Sequence, residues 1–423
     1  MERRTLFSSA SVGPDINISR SSHSEAEGAI TIDPTNPSRM FVLANDASGG
    51  LFSSYSTDRG KTWHNKIIAD GRTSLPQACC DPSASFDQFG NLFISYVGDV
   101  SGVFVCLSMD GGKDFKLLKK ITNNDADQPT LATGPGTKAG TGSVWITYSD
   151  DNQDITVSGA TVSGKNSIGS FSSPKTISGA VGNFGDIAIG PAGQVIVGWQ
   201  DNTSDQHATN LFDSVDPDGL GPKGFGKPIK IARSNVGGFD RIPAQNMRSI
   251  DAELGFAWDR SSSRHRGRIY AVYTDETPDE SNNTDIYLRY SDNSGASWSS
   301  AKKVNDDNTT NSQFLPRIAI DQTTGNIAMS WYDARNAGSK NQDVEVYAAY
   351  STDGGLTISK NIKVSDGKSN AIRAGTDFQF GDYTGLAFYK GSFFPLWADN
   401  STSLGRNPRA NVMDMATAEV VLT

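Results

Sequence analysis

Short apolar stretches separated by polar turns recur along the whole chain. One clear unit runs from 314 to 364. It has an apolar stretch at 314–320, a turn at 321–325, further stretches that end at Asp333 and Ser351, and a last short one at 361–364. Stretches of this length, bounded by Gly, Asp, Asn and Pro, are typical of β-strands rather than helices. Each unit therefore predicts a four-stranded antiparallel meander.

A polar motif follows the third predicted strand in four of these units. Its form is Ser-x-Asp-x-Gly-x-Thr-Trp, and it occupies 56–63, 108–115, 291–298 and 351–358, with Asn293 in place of Asp in the third copy. An Asp that accepts backbone N–H groups and a Gly with positive φ make such a segment a tight turn, so the motif is structural. It resembles the Asp-box, or bacterial-neuraminidase repeat, of sialidase-like β-propellers. The resemblance implies a propeller fold.

The unit recurs seven times when the residue that ends its first strand is used as a marker. The markers are Asp33, Asp87, Gly134, Gly190, Asp259, Asp321 and Tyr389, at spacings of 47 to 69 residues. We therefore expect an all-β fold, with a single β-propeller domain over residues 1–423 and seven four-stranded blades. Six blades are the alternative. Radial repetition of this kind leaves only short sheet edges.

The last unit lacks a fourth strand. Its three strands are predicted at 385–390, 393–398 and 411–421. The run 16–19 near the N-terminus matches the fourth strands of other units, such as 362–365. We expect residues 1–24 to provide a strand that closes the ring and a linker to blade 1, which also covers the exposed sheet edges.

Every predicted second strand ends in Asp. These residues are Asp46, Asp99, Asp150, Asp201, Asp275, Asp333 and Asp399. A sevenfold pattern favours a scaffold role, in which each carboxylate accepts N–H groups of its own turn. The alternative is a carboxylate ring that holds a hard cation such as Ca²⁺, with Asp275 and Asp399 as candidate ligands. No cofactor is required by the sequence, and a structural Ca²⁺ ion is the metal we would expect.

The loops that precede the innermost strands carry irregular polar residues, as a single site requires. They contain His23, Glu25, Glu27, Asp81, Arg241, Arg248, Asp251, Glu253, Gln313, Arg317, Asp377, Asp382 and Tyr383, and Arg335 lies in a strand-two loop on the same face. Arginines that cluster there would suit a carboxylate or sulfate held in bidentate fashion. Separate surface ion pairs are the alternative interpretation.

The segments 314–321, 331–335 and 380–385 look like a bacterial branch of the sialidase-like superfamily that is often labelled exo-sialidase. Sialidases use an arginine triad, a Tyr nucleophile activated by Glu, and an Asp acid/base. By residue type and face, the resemblance implies Tyr383 as nucleophile and Glu253 as its base. It implies Arg248, Arg317, Arg335 and Asp382 as substrate-binding residues, and Asp46 or Asp333 as the acid/base. The Arg-Ile-Pro motif of sialidases lies near the N-terminus, whereas here it lies in mid-chain at 241–243.

Composition excludes several classes of protein. Gly accounts for 43 of 423 residues and hydrophobic residues for 36%, which does not fit a helical bundle. Lys and Arg number 38 against 47 Asp and Glu, a net charge of −9, so neither nucleic acid nor an anionic membrane surface is an expected partner. No apolar run is long enough to span a bilayer. Three cysteines form no disulfide framework, so Cys79, Cys80 and Cys106 are expected as free thiols, with a soft-metal or redox role as the alternative.

Three functions remain open. The leading hypothesis is an exo-glycosidase that hydrolyses a terminal acidic sugar from a glycan. The second is a non-catalytic propeller that binds a glycan or a protein partner, and the third is a polysaccharide lyase. The first 20 residues contain two arginines but no apolar segment, so they are no intact signal peptide. We expect a secreted or cell-surface protein whose leader has been removed, with a cytoplasmic location left open.

Overall fold

Seven antiparallel sheets surround a central channel. The computed structural model describes residues 9–183, 185–201, 203–376, 378–405 and 411–423. The first strand of each sheet lies innermost and contacts the first strand of the next sheet along the chain, and the seventh contacts the first. The predicted all-β propeller with seven blades is confirmed, and six blades are excluded.

The strands of each blade follow one another from the channel to the rim. Blade 1 contains Glu25–Ile32, Met40–Asp46, Leu51–Ser56 and His64–Ile68. Blade 2 contains Ala78–Phe86, Leu92–Gly98, Val103–Ser108 and Lys116–Thr122. Blade 3 contains Ala126–Pro135, Gly142–Asp150, Asp154–Gly164 and Ser167–Ile168, with Lys175–Val181 also paired to its third strand. Blade 4 contains Ile187–Ile189, Val195–Gln200, Thr209–Asp216 and Ile229–Ser234.

Blades 5 to 7 repeat this order. Blade 5 contains Gly255–Trp258, Ile269–Glu276, Thr284–Ser291 and Lys302–Lys303. Blade 6 contains Gln313–Ile320, Ile327–Asp333, Glu345–Ser351 and Ile362–Lys363. Blade 7 contains Gly385–Tyr389, Ser392–Asp399 and a third strand in two parts, Asp414–Thr417 and Val420–Leu422, both of which pair with Ser392–Asp399. A separate hairpin, Asp240–Ile242 with Gln245–Ile250, is inserted before blade 5.

Helical structure is confined to three 3₁₀ turns within the described residues. They are Gly338–Lys340, Ala371–Ala374 and Thr402–Leu404. None of the helices found there has the length and apolar character needed to cross a membrane.

The second strands lie between neighbouring blades, and both of their faces are covered. Met40–Asp46, Leu92–Gly98 and Ile327–Asp333 are buried at every position. Strands buried on both faces appear in sequence as continuous apolar runs rather than as alternating patterns. The rim strand His64–Ile68 is mostly exposed. This gradient from channel to rim produces the recurring apolar stretches of the sequence.

The four Asp-box segments form the same turn. The Ser56 hydroxyl donates to Asp58 and accepts the N–H of Gly60 at 2.9 Å. The equivalent Ser–Gly bonds at 108–112, 291–295 and 351–355 measure 2.9–3.0 Å. The Thr62 hydroxyl is the largest influence that lowers the pKa of Asp58, to about 2. The motif therefore stabilises the outer turn of a blade, as its chemistry predicts.

The N-terminal segment closes the ring. Ile16 and Asn17 pair antiparallel with Thr417 and Ala416 in the third strand of blade 7, so the expected closing strand is confirmed. A further strand, Ala10–Val12, pairs with Val420–Leu422. The predicted third strand at 411–421 is thus divided into two, and each part receives its own N-terminal partner.

A buried polar group locks this closure. The Ser19 hydroxyl lies 2.8 Å from Glu25 Oε2 and 3.1 Å from Asp414 Oδ1, and it accepts the N–H of Met415 at 2.9 Å. Burial is the main cause that raises the pKa of Glu25, to about 8. One hydroxyl therefore connects blade 1, blade 7 and the N-terminal segment.

We predict that Ser19→Ala lowers the free energy of unfolding by about 1–3 kcal/mol, because Glu25 and the Met415 N–H lose a buried partner. Urea unfolding of the purified chain measures this. Ser22→Ala is the matched control, because Ser22 is exposed. Equal unfolding midpoints for the two variants would show that the hydroxyl does not stabilise the closure.

Candidate active site

Bulges reshape the innermost strands where they begin. The pairing register shifts in blades 1, 2, 3 and 6, and a residue with positive φ lies at each shift: Glu27 at 58°, Asp81 at 56°, Gln128 at 44° and Leu315 at 50°. Glu253 has φ of 45° just before the innermost strand of blade 5. Positive φ is uncommon for residues other than Gly, and bulges redirect side chains near active sites. These bulges point to a built site at this end of the channel.

Each blade contributes at least one charged or phenolic side chain to that end. The group, which we call the mouth cluster, consists of Glu27, Asp81, Asp127, Asp186, Asp251, Glu253, Arg317, Asp382 and Tyr383, together with Arg248 from the inserted hairpin. Five of its seven carboxyl groups belong to buried residues. The cluster therefore concentrates acidic groups in a region with little access to water.

The inserted hairpin brings Arg248 to the cluster. The N–H groups of Met247 and Arg248 donate to Gln379 Oε1 at 3.1 and 2.9 Å, which fastens the hairpin to the loop before blade 7. The Arg248 guanidinium then contacts Glu27 Oε1 at 2.7 Å and both carboxylate oxygens of Asp382. The Arg-Ile-Pro motif forms the start and turn of this hairpin, which explains its position in mid-chain.

Arg317 lies on another side of the cluster. Its guanidinium is 3.4 Å from Glu253 Oε1 and 3.9 Å from Asp186 Oδ1. Asp186 Oδ2 accepts the N–H of Phe256 at 2.8 Å, which fixes this carboxylate against blade 5. Both guanidinium groups of the mouth cluster are therefore already paired with carboxylates.

Arg335 belongs to a different part of blade 6. It contacts Asp333 at 2.7 Å and Asp306 at 2.9 Å, and its guanidinium lies 4.1 Å from the centre of the Tyr347 ring. Within the part of the chain that the structure describes, the hydrogen bonds and ion pairs of Arg335 involve no member of the mouth cluster. The structure thus brings Arg248 and Arg317 to the channel mouth but leaves the third predicted arginine outside it.

The second-strand aspartates serve their own turns. Asp46 accepts the N–H of Ser48 at 2.7 Å, and Asp275 accepts the N–H groups of Asn235 and Glu276. Asp333 and Asp399 each accept the indole N–H of the Trp two residues earlier, at 2.8 Å. This is the scaffold role, and the structure places none of these carboxylates against Tyr383.

The predicted cation ligands do not form a site. Asp275 and Asp399 lie in blades 5 and 7, and both are engaged by their turns. Within the described ranges, no group of three or more His, Cys, Asp or Glu side chains is arranged to hold a metal. These residues do not fit a Ca²⁺ ion. Another predicted polar residue of the loops, Asp377, lies outside the described residues.

Tyr383 lies among the carboxyl groups. Its hydroxyl donates to the backbone carbonyl of Pro82 at 3.3 Å. Burial, followed by the charges of Glu27, Asp81 and further carboxylates, raises its pKa well above the usual 10. Tyr383 therefore keeps its proton at neutral pH.

Asp81 and Asp127 form a close acidic pair. The N–H of Gln128 lies 3.2 Å from Asp81 Oδ2 and 3.0 Å from Asp127 Oδ1, so both carboxyl groups face one donor. Burial raises the pKa of Asp81, and the charge of Glu27 and its contact with Asp127 add to the effect. Like charges this close cannot both be ionised cheaply, so the surroundings of Asp81 favour its protonated form. Asp81 was predicted on the correct face, without a role in the site. The signal in the sequence that could have indicated the bulges is the set of Asp-Pro, Gln-Pro and Leu-Pro dipeptides found there.

Two buried glutamates show the same behaviour. Burial raises the pKa of Glu27 to about 8, and it raises that of Glu253 together with the charge of Asp251. Arg248 and Arg317 oppose these shifts without abolishing them. The mouth thus holds protonated carboxyl groups and ionised carboxylates side by side.

The expectation of free thiols next to Asp81 is wrong. Cys79 and Cys80 are joined in a disulfide, and only Cys106 of the three remains free and buried. The bond lies in the bulged start of the innermost strand of blade 2. It constrains the backbone that presents Asp81.

Two cavities meet at the cluster. The channel, with a volume of about 320 Å³, is lined at this end by Asp186, Glu253, Arg317 and Tyr383. An open surface groove of about 940 Å³ reaches Arg248 and Asp382 from the side of blades 4 and 5. A ligand at the mouth could therefore contact both spaces.

Solved structures with this fold cover nearly the whole chain. A protein of unknown function from Dyadobacter fermentans is 12% identical with a TM-score of 0.53, covering 98% of this chain and 99% of its own. The GH93 α-L-arabinofuranosidase of Fusarium graminearum with arabinobiose is 10% identical with a TM-score of 0.51, covering 98% of both chains. The endosialidase of phage phi92 is 8% identical with a TM-score of 0.51, covering 97% of this chain and 69% of its own. These similarities show a common fold.

No family model and no curated protein matches the chain. The resemblance to the sialidase-like superfamily therefore remains a prediction from the sequence motifs.

We predict that Asp81→Asn raises the melting temperature at pH 7–8 and has less effect near pH 4. The folded state binds a proton at Asp81 that the unfolded state, with a pKa of about 3.9, releases above pH 4. Stability therefore falls as the pH rises from about 4 through the raised pKa of Asp81, and Asn abolishes this loss. Thermal unfolding from pH 4 to 9 measures it.

Asp58→Asn is the control of opposite sign. Its carboxylate has a lowered pKa of about 2, so it stabilises the fold above pH 4 and loses that effect as the pH falls through 2. Asp58→Asn should lower the melting temperature at pH 7. If Asp81→Asn did the same, Asp81 would be an ionised structural carboxylate.

Proposed function

We propose that the protein is a glycoside hydrolase that binds a glycan at the channel mouth and cleaves it with carboxyl groups of the mouth cluster. The observation that carries this proposal is the presence, around Tyr383, of a buried Asp81 with a raised pKa and an arginine-bound Asp382. Glycosidases generally need one carboxylic acid to protonate the leaving oxygen and one carboxylate to act as nucleophile or base.

Asp81 suits the role of the acid. A general acid must hold its proton at the working pH and release it in the transition state. Burial and the neighbouring Asp127 keep that proton on Asp81, and a raised carboxyl pKa is the usual means to this end. On bond cleavage the proton of Asp81 passes to the leaving oxygen, and Asp81 becomes a carboxylate.

Asp382 suits the role of the carboxylate. Two N–H groups of Arg248 balance its charge, and its side chain is 22% exposed, so a substrate in the groove can reach it. The Tyr383 hydroxyl donates a hydrogen bond to the Pro82 carbonyl and makes none to Glu253 among the described residues. We therefore assign Tyr383 to positioning the substrate, in place of the nucleophilic role that the resemblance implies.

The charge balance favours a neutral sugar over the acidic sugar expected from the sequence. The cluster has seven carboxyl groups and two guanidinium groups, and both guanidinium groups are paired. An anionic sugar would have to displace a carboxylate from Arg248 or Arg317. A neutral sugar needs only hydroxyl contacts, and carboxylates accept these well.

Two proteins with this fold support a glycan as substrate. One is named an arabinofuranosidase and was solved with arabinobiose, and the other is named an endosialidase. A shared fold alone does not transfer an activity, so the mouth cluster remains the basis of the proposal.

The test is hydrolysis of a panel of aryl glycosides of neutral furanoses, neutral pyranoses and sialic acid. We predict turnover of a neutral glycoside, and a loss of about 10²–10⁴-fold in kcat for Asp81→Asn and for Asp382→Asn. Tyr383→Phe should retain most of the turnover, because its hydroxyl does not act as nucleophile. Arg335→Gln is the control outside the mouth and should leave kcat/KM unchanged in folded protein.

The outcomes separate the hypotheses. Turnover of sialosides alone, abolished by Tyr383→Phe, would restore the sialidase mechanism and contradict the carboxyl pair. A product that absorbs in the ultraviolet would indicate a lyase. Absence of turnover with retained glycan binding would indicate a non-catalytic propeller, which the internal pairing of both arginines favours as the second candidate.

A further inference from the structure

The surface groove beside the mouth has the composition of a ligand site. Its volume is about 940 Å³, and it is lined by Phe239, Met247 and Arg241 together with polar residues of the segment 204–207. Arg248 and Asp382 form its inner end. The groove is therefore continuous with the proposed catalytic groups.

Two large apolar side chains are exposed on the groove wall. Phe239, which directly precedes the inserted hairpin, is 51% exposed, and Met247, in the second strand of the hairpin, is 63% exposed. Exposed apolar side chains that share one concave surface with polar groups are typical of ligand sites. An aromatic ring can pack against the C–H face of a sugar, and a Met side chain adapts to irregular shapes.

Polar groups on the facing wall are held in place by one another. Gln206 accepts the N–H of Arg241 at 3.2 Å and donates to Glu280 at 3.5 Å. His207 lies 3.8 Å from Glu280 as well. An ordered amide, carboxylate and imidazole beside a phenyl ring provide the combination of contacts that a chain of neutral sugars needs.

The position of the groove determines which part of the substrate it can hold. Asp382 lies at the point where the groove and the mouth cluster meet. A sugar placed for cleavage beside Asp382 must direct the rest of its chain into one of the two cavities, and the channel has the smaller volume. The open groove is the space available for further sugars.

We propose that this groove binds the sugars next to the cleaved bond of a neutral oligosaccharide, with one ring stacked on Phe239. The protein would then act on oligosaccharide chains rather than on isolated small glycosides. This inference rests on the proposed function for its substrate class.

The experiment compares chain lengths in matched variants. Phe239→Ala and Met247→Ala alter the groove, whereas Leu356→Ala and Met109→Ala remove partly exposed apolar side chains from Asp-box turns on the opposite face. The probes are arabino- and xylo-oligosaccharides of two to five units, with the aryl glycoside as the short substrate. Both kcat/KM and the binding constant, from calorimetry on the Asp81→Asn background, are measured.

We expect Phe239→Ala to weaken binding and lower kcat/KM for the longer chains by about three- to tenfold, in line with the value of an aromatic contact. The aryl glycoside should be hydrolysed as before, and the two control variants should match the parent. Equal losses for all chain lengths, or no gain in affinity with length in the parent, would overturn the groove proposal.

Failure of the proposed function gives a different result. If no variant hydrolyses any probe, but the oligosaccharides bind the folded wild-type protein and Phe239→Ala weakens that binding, the groove proposal stands and the hydrolase proposal falls. If hydrolysis occurs and neither binding nor kcat/KM depends on Phe239, the hydrolase proposal stands and the groove proposal falls.

Discussion

The ion pairs of Arg248 with Glu27 and Asp382 are the interaction on which the mouth of the channel depends. They join the inserted hairpin to blade 1 and to the loop before blade 7. Arg248 is 221 residues from Glu27 and 134 residues from Asp382 in sequence. Two carboxylates drawn together without a cation would repel each other by several kcal/mol at the effective dielectric constant of a protein surface. One guanidinium with a planar set of donors removes that repulsion and fixes both oxygens of Asp382. The contact ties the inserted hairpin to blade 1 and to the loop before blade 7, and it places Arg248 and Asp382 at the end of the groove.

The mouth cluster lowers the free energy of unfolding of the molecule. Asp81, Glu27 and Glu253 are buried with raised pKa values, and several residues at the bulges have positive φ. Such groups reduce stability near neutral pH, and they persist only where the surrounding scaffold is firm. The scaffold provides this through the fully buried second strands, the repeated Ser–Asp–Gly turns and the closure at Ser19. The contacts that stabilise the fold thus lie farther from the channel than the groups of the candidate site.

The fold could be predicted because its signals are local. The Asp-box turn occurs four times and the unit of apolar runs seven times, and each is decided by residues within a few positions of one another. The closing strand could also be inferred, because blade 7 lacked a partner that 16–19 could supply. The site could be placed on the correct face for the same reason. The contacts within the site could not be predicted. Arg248 reaches Asp382 because the inserted hairpin docks on Gln379, and this docking leaves no pattern in the sequence.

Residue type alone misassigned the remaining positions for a related reason. Asp46, Asp333 and Arg335 have the chemistry of a site, but a turn or a neighbouring side chain already engages each of them. The sequence suggested no role for Asp81, although burial at the bulge and the contact with Asp127 raise its pKa. The count of three cysteines gave no signal for the disulfide at Cys79–Cys80, which lies where the pairing register of the strand shifts.

The geometry also bears on where a chain would be cut. The channel, at about 320 Å³, lies at the lower end of the range for ligand cavities, whereas the groove, at about 940 Å³, lies near its upper end. Asp382 and Tyr383 separate the two spaces, with Asp382 facing the groove and Tyr383 facing the channel. A terminal sugar in the channel and the remaining chain in the groove would place a bond near the chain end beside Asp382 and Tyr383. Removal of sugars from an end, rather than cleavage in the middle, is the mode that this division of space favours.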